Sequence, residues 1–307
     1  MRAPQDLGRG RFLQFEHAAS SIRVHYHEVG TGDRHVVFVQ TGGAGTSAYL
    51  SWFANLVPFA EAGYHAIAPD MIGFGLSEIV GKPGQRVNGA EYLVGVLDAL
   101  EIGAAHFIGN SMGANVIARL AVDRPDRVRS LILTGGEPRV ETDESRAISQ
   151  ELGKTPRVDF VREMFGKPAV SFEDMRRATA AFFYDADHPA VDRVAAMRLD
   201  AVKRPGVHER EREAAFGQIE RGRDTFGSSM LARIGAPTYL IHGRDERNFY
   251  PANVAPVLLE AAIRACLVIP DCACTILPRC GHWPQIERAE TFNALALGFI
   301  GEVETAG

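Results

Sequence analysis

Gly109-Asn110-Ser111-Met112-Gly113 is the stretch that decides the fold. The residues before it, His106-Phe107-Ile108, read as the end of a buried strand. Those after it, Ala114-Asn115-Val116-Ile117-Ala118-Arg119-Leu120-Ala121, read as a helix. A serine between two glycines at a strand-to-helix corner is the G-x-S-x-G nucleophile elbow. Such a corner holds its serine in an unusual backbone conformation, and its neighbours must be small for the chain to turn so tightly. The helix that begins there aims its N-terminal amides at the reacting centre, which suits a developing negative charge. The five-residue pattern alone is satisfied by many turns; the flanking strand and helix are what make Ser111 a candidate nucleophile.

The same alternation extends outward from the elbow. Residues 22–29 alternate as a half-exposed strand does, with Ile22, Val24 and Tyr26 against Arg23, His25 and His27. Val36-Val37-Phe38-Val39 is a continuous apolar run of the kind found in buried parallel strands. A glycine cluster follows, Gly42-Gly43-Ala44-Gly45, then a predicted helix over 52–62 ending at Gly63. Further strands are predicted at 65–68, 105–109, 128–134, 238–241 and 274–277, with a helix over 90–101. Strands alternating with helices predict the α/β class, with a mostly parallel sheet and helices on both faces.

Between about 139 and 228 the pattern changes. Arg, Glu and Asp are dense, and apolar residues recur at helical spacing without strand runs. Met175, Ala178, Phe182 and Phe183 fall on one helix face, and Val191, Val194 and Met197 on a second. The reading is a helical lid, residues 139–228, inserted between core segments 1–138 and 229–307, its underside forming part of the substrate pocket.

The chain has 307 residues, 46% of them hydrophobic, and a formal net charge of -5. That is enough for one large domain, and nothing in the charge favours nucleic acid or an anionic membrane surface. No apolar run approaches the roughly 20 residues of a membrane helix, and the first seven residues are polar, so a cytoplasmic location is expected. Cys266, Cys272, Cys274 and Cys280 have no zinc-ligand spacing and contain no C-x-x-C, so they read as buried free thiols. No metal or organic cofactor is implied. The expected partner is a small-molecule substrate; a homo-oligomer is left open.

A serine nucleophile needs a base, and the base an orienting carboxylate. After an elbow of this type the acid and then the histidine follow in chain order. His282, in Cys280-Gly281-His282-Trp283, lies between the last strand and the last helix, where loops converge at the carboxyl edge of a parallel sheet, and is the candidate base. His242 ends a strand and reads as packed beneath the loop. Two adjacent carboxylates follow that strand. Asp245 has the short side chain that holds an imidazole rigidly; Glu246 occupies the third place after Gly243, and register favours it. Glu137 is a third candidate. The oxyanion hole is expected from the amide of Met112 and the Gly42-Gly43 turn. The glycine spacing is not that of a dinucleotide site, and no Lys-Ser/Thr follows as in a phosphate loop.

With these residues in place the chain resembles the α/β-hydrolase superfamily over nearly its whole length, and within it the meta-cleavage product hydrolases, which cut carbon–carbon bonds in ring-opened aromatic catabolites. The matching pieces are Ala68-Pro69-Asp70-Met71-Ile72-Gly73-Phe74-Gly75, the elbow, His242-Gly243-Arg244-Asp245, and Arg279-Cys280-Gly281-His282-Trp283-Pro284-Gln285-Ile286-Glu287, with Met197-Arg198 and Arg204-Pro205-Gly206 in the lid. The resemblance implies a 2-hydroxy-6-oxo-dienoate substrate. It implies that Arg198 pairs with the substrate carboxylate, that Trp283 packs on the dienoate and that Asn110 lies near its enol end. Gln40-Thr41 stand where the family usually carries His-Gly, and Ala114 where it carries a second glycine. The same fold also hosts carboxylesterases and lactonases, and a non-catalytic ligand receptor on this fold is a further alternative.

Overall fold

Why these segments become a two-faced sheet is visible in how alternate residues of each strand part company. Val37, Val39, Phe107, Leu131 and Leu133 enter one apolar core, while Val36, Phe38, Ile108 and Ile132 enter another on the opposite face. Successive side chains of a strand point to opposite faces, so a run apolar at every position is a strand covered on both sides. The structure is a computed structural model and describes residues 9–18, 20–80, 87–136, 138–140, 142–144, 147–148, 162–208, 227–246 and 253–306.

The strands are β1 (Arg11–His17), β2 (Ser20–Val29), β3 (His35–Val39), β4 (His65–Pro69), β5 (Glu78–Ile79), β6 (Ala105–Asn110), β7 (Val128–Thr134), β8 (Thr238–Gly243) and β9 (Cys272–Leu277). They form one sheet in the order β1-β2-β4-β3-β6-β7-β8-β9, with β5 pairing β2 off the path. β1, β2 and β5 run antiparallel; from β4 to β9 every pairing is parallel. The sequence reading did not mark β1 as a strand. Phe12 on it faces outward, covered by the Arg23 guanidinium 4.0 Å above its ring, so polar-out alternation is lost there.

The helix predicted over 52–62 is two helices, α1 (Ala48–Trp52) and α2 (Leu56–Glu61). Pro58 is the physical reason: in one continuous helix its ring would meet the Ala54 carbonyl. In the observed break it occupies the first turn of α2, where an N–H has no intrahelical partner in any case. The Ala54 carbonyl is taken up by Asn293 Nδ2 at 3.1 Å. Asn55 Nδ2 completes the joint, donating to Asn293 Oδ1 at 2.7 Å and to the Gln285 carbonyl at 3.1 Å.

Helix α3 (Gly89–Ala99) and α4 (Met112–Asp123) pack on one face of the sheet. The 139–228 stretch, where described, holds α5 (Phe172–Ala180) and α6 (Ala190–Val202). A capping box at Ser171 and Asp174 starts α5. It ends at Ala180, so Phe182 and Phe183 leave the helix face predicted for them and sit in the following turns. Met175 and Ala178 pack with Ala195, Leu199 and Val202 of α6, whereas Phe182 and Phe183 pack with Trp283, Val191 and Val194. Toward the C-terminus come α7 (Ser228–Leu231), α8 (Ala255–Val268), the short α9 (Pro284–Glu287) and α10 (Ala289–Ala306). All four cysteines are free; Cys280 is buried as expected, but Cys266, Cys272 and Cys274 are only half-buried along the β9 edge. No helix among the described residues is long and apolar enough to cross a membrane.

Candidate active site

Ser111 stands at the corner between β6 and α4 with φ 53° and ψ -111°, a left-handed conformation that costs a non-glycine residue of order 1–3 kcal/mol. The flanking glycines make the corner possible. A Cβ on Gly109 would lie 2.6 Å from the Gly113 carbonyl carbon, and one on Gly113 would lie 2.3 Å from the Val39 carbonyl oxygen. The Ser111 amide donates to the Thr134 carbonyl at 2.8 Å, and its own carbonyl accepts from the Asn115 amide at 3.2 Å, opening α4.

The expected oxyanion donors are neighbours. A Cβ on Gly42 would lie 3.3 Å from Met112 Cβ, so the glycine turn rests against the first residue of α4. Gly43 has φ +117°, and its carbonyl accepts from the Thr46 hydroxyl at 2.8 Å and the Thr46 amide at 3.3 Å. Gln40, where the resemblance leads one to expect histidine, still fills its position with a hydrogen bond. Its Oε1 accepts from the Met71 amide at 3.1 Å, tying the turn after β3 to the turn after β4.

β8 and β9 end side by side, and the loops after them carry the candidate acid and base. Their following loops touch: the Asp245 amide donates to the Cys280 carbonyl and the Arg244 amide to the Leu277 carbonyl, each at 2.9 Å. His282 Nδ1 lies 2.9 Å from Glu246 Oε2, both residues buried. A ring whose Nδ1 faces a carboxylate carries its proton there, which makes Nε2 the nitrogen able to accept one. Burial works against the Glu246 charge, but the facing His282, their hydrogen bond and the nearby Arg139 hold its pKa below the usual carboxylate value. The other candidate acid is occupied elsewhere: Asp245 Oδ2 accepts from the Arg279 amide at 2.7 Å, and Oδ1 from Arg244 Nε at 3.2 Å. Glu137 lies outside the described residues. His242 is fully buried under the loop, as the sequence reading has it. Its Nδ1 accepts from the Gly136 amide at 3.2 Å, and burial pushes its pKa down to about 4, so it is neutral at pH 7.

Asn110 joins the two candidate residues: its Nδ2 donates to the His282 carbonyl at 3.2 Å, one residue from Ser111, while its Oδ1 is buried without a hydrogen-bond partner among the described residues. Arg198, on α6, is buried beside the glycine turn. Its Nε donates to the Ala44 carbonyl at 3.0 Å and Nη1 to the Thr179 hydroxyl at 2.9 Å. Trp283 is completely buried rather than an open platform: Phe182 stacks on it at 4.1 Å and 5°, and Phe183 meets it edge-on at 5.8 Å.

Three participants escaped sequence reasoning. Thr179 holds Arg198, Arg139 stands near Glu246 with its Nε on the Gly136 carbonyl at 2.8 Å, and Glu287 binds three backbone amides. Only Glu287 carried a usable signal, since it closes the motif that contains His282. Among the described residues, no group of three His, Cys, Asp or Glu side chains could hold a metal ion.

Comparison with known proteins was made against this geometry. Residues 34–289 match the sequence pattern of the α/β hydrolase fold family. The chain is 30% identical to a 2-hydroxy-6-oxononadienedioate/2-hydroxy-6-oxononatrienedioate hydrolase of Cupriavidus pinatubonensis, over 98% of each chain. It is 32% identical to a 2-hydroxymuconate semialdehyde hydrolase of a Pseudomonas species, over 100% of this chain and 99% of the other. Among solved structures, a meta-cleavage product hydrolase from Pseudomonas fluorescens superposes with a TM-score of 0.74 at 28% identity, covering 92% of this chain and 95% of that one.

Proposed function

Because the chain belongs to the α/β hydrolase fold family, we propose that it is a serine hydrolase that cleaves a carbon–carbon bond in a 2-hydroxy-6-oxo-dienoate, the class of compound its relatives are named for. The observation that carries the reading is the buried 2.9 Å contact of His282 Nδ1 with Glu246 Oε2, held beside the strained Ser111 elbow by Asn110.

In this reading Ser111 is the nucleophile or the hydroxyl that orients the attacking water, His282 the base and Glu246 the acid that stabilises the imidazolium. The dienol first ketonises by proton transfer to carbon, with the substrate carboxylate paired to Arg198 and its enol end beside Asn110. Attack on the distal ketone through His282 then gives a tetrahedral oxyanion, which the amides of Met112 and of Gly42 or Gly43 receive. Collapse breaks the carbon–carbon bond, the electron pair departing on the ketonised fragment, which takes up a proton and leaves as a 2-hydroxydienoate; the acyl group leaves as the acid, at once where water attacked and by hydrolysis of the acyl-serine where Ser111 did. Residues 139–228 serve as the lid, and the reading includes a cytoplasmic enzyme acting on a small molecule.

The test is stopped-flow absorbance with a yellow dienoate. Loss of colour in two phases, ketonisation and then cleavage, is expected; no bleaching by the pure enzyme refutes the reading. A carboxylesterase or lactonase is the second reading, favoured by one specific observation. Arg198 already donates to Ala44 and Thr179, and Trp283 is covered by Phe182, so two residues expected on the dienoate are engaged with the protein. Fast hydrolysis of short p-nitrophenyl esters that is unchanged in Arg198→Ala selects it.

A further inference from the structure

Glu287 has no part in that chemistry, yet it is buried and accepts three backbone amides. Its Oε2 receives Gly281 N–H at 2.7 Å; its Oε1 receives Tyr184 N–H at 2.9 Å and Asp185 N–H at 3.0 Å. A fourth bond runs alongside, from the His282 amide to the Phe182 carbonyl at 2.7 Å. Contact between the two stretches is so close that a Cβ on Gly281 would lie 2.5 Å from the Phe182 carbonyl oxygen and 2.7 Å from the Tyr184 nitrogen. The Phe182 ring also lies 5.6 Å from the His282 ring. Residues 281–283, which carry the base, and residues 182–185, which belong to the helical insertion, are therefore laced into one piece.

We propose that Glu287 is a positioning residue through which the helical insertion sets the imidazole of His282. Residues 182–185 then act as a fixed splint on the base, and any movement that admits substrate takes place in other parts of the insertion. The proposal rests on the reading of His282 as general base. The chemistry favours a carboxylate in this role. It is acceptor-only, so its two oxygens satisfy all three N–H donors, and hydrogen bonds to a charged acceptor are stronger than neutral ones. An amide in its place offers one acceptor oxygen and turns an NH2 toward an N–H.

Glu287→Gln loosens the splint from the carboxylate side and Gly281→Ala wedges it open from the loop side. Both are compared with the wild type on a 2-hydroxy-6-oxo-dienoate and on p-nitrophenyl acetate, with near-UV circular dichroism to confirm the fold. An imidazole displaced by an ångström loses about 100-fold in rate. That is the loss of kcat expected for Gly281→Ala, with about 10-fold for Glu287→Gln and KM within about two-fold of wild type. The His282 Nδ1 proton, followed by NMR without substrate, moves upfield.

A natively folded variant with unchanged kcat and Nδ1 proton overturns the proposal, as does a loss confined to KM. Should Glu287→Gln not fold, Gly281→Ala decides by the same readouts. Ester turnover without dienoate turnover in the wild type defeats the carbon–carbon reading and leaves the ester to decide this one. The NMR readout decides it if neither substrate is turned over.

Discussion

The two edges of the sheet carry the same three residue types and treat them differently. At the carboxyl edge are Ser111, His282 and Glu246. At the amino edge, Ser130 near the start of β7 bonds His106 Nδ1 at 2.8 Å, and His106 Nε2 lies 3.6 Å from Glu304 Oε1 on α10. Ser111 is half-buried at a strained corner with a helix opening behind it. Ser130 lies within a strand with no exposure, and burial drives the His106 pKa down to about 4. Glu304 faces Arg34 and the Tyr64 hydroxyl, so its charge ties α10 to the sheet. A serine, a histidine and a glutamate do not make a catalytic set. A tight corner, converging amides and loops at the carboxyl ends of the strands do.

The largest effect separates the two serines. Ser111→Ala is expected to lower kcat by at least about 10^4-fold with the fold intact, by the logic of triad removal. Ser130→Ala should leave kcat within about two-fold and instead strand a buried imidazole nitrogen, at about 1–3 kcal/mol of stability. Paired turnover and thermal-melt measurements check both; equal kinetic effects would erase the distinction between the edges. Next in size are the neighbouring carboxylates of the carboxyl edge. Glu246→Gln should reduce kcat by about 10^3- to 10^4-fold. Asp245→Asn should reduce it by less than about 10-fold while weakening the joint between the β8 and β9 loops.

That second pair shows where sequence reasoning reached its limit. The elbow and His282 were legible because each is fixed locally, one by glycines and flanking periodicity and the other by its place between the last strand and helix. The choice between Asp245 and Glu246 depends on how a loop turns in three dimensions. The Arg279 amide, 34 residues away, captures Asp245 and leaves Glu246 to the imidazole. The same kind of long-range partner hid the burial of Trp283, which Phe182 stacks upon. The continuous apolar strands β3, β6 and β7 needed no such information, because strands covered on both faces announce themselves.

Acid titration offers a subtler comparison. An unfolded histidine titrates near 6.5, whereas native His106 does so at about 4 because it is desolvated. Between those values the unfolded chain binds a proton that the folded chain refuses, so stability falls as pH drops from 6.5 and the loss is complete below 4. The ceiling is about 3 kcal/mol. Glu246 acts in the same sense at lower pH. Its lowered pKa contributes stability that is present above the unfolded carboxylate value and is lost only as pH falls through the lower native one. His242 titrates in the same window as His106, so it is the difference between variants that isolates each edge. Urea melts of His106→Gln against wild type should show a flatter decline between pH 6.5 and 4 with unchanged kcat at pH 7. An identical slope would mean that His106 does not carry the proton linkage.

The smallest effect is expected at Arg34, and it tests whether the amino edge is only a tie. Arg34 donates to both carboxylate oxygens of Glu304 and to the Tyr64 hydroxyl, and its guanidinium lies 4.1 Å over the Tyr64 ring. The arrangement looks strong, but Arg34 is about two-fifths exposed, and ion pairs so open to water contribute about 0–1 kcal/mol. Tyr64 still donates to Glu304 at 2.9 Å once the arginine is gone, so α10 keeps a second tether. Arg34→Ala is therefore expected to lower the melting temperature by only a few degrees, less in high salt, with kcat unchanged. A kinetic effect would mean that the two edges communicate through β6, the strand that begins at this cluster and ends next to Ser111.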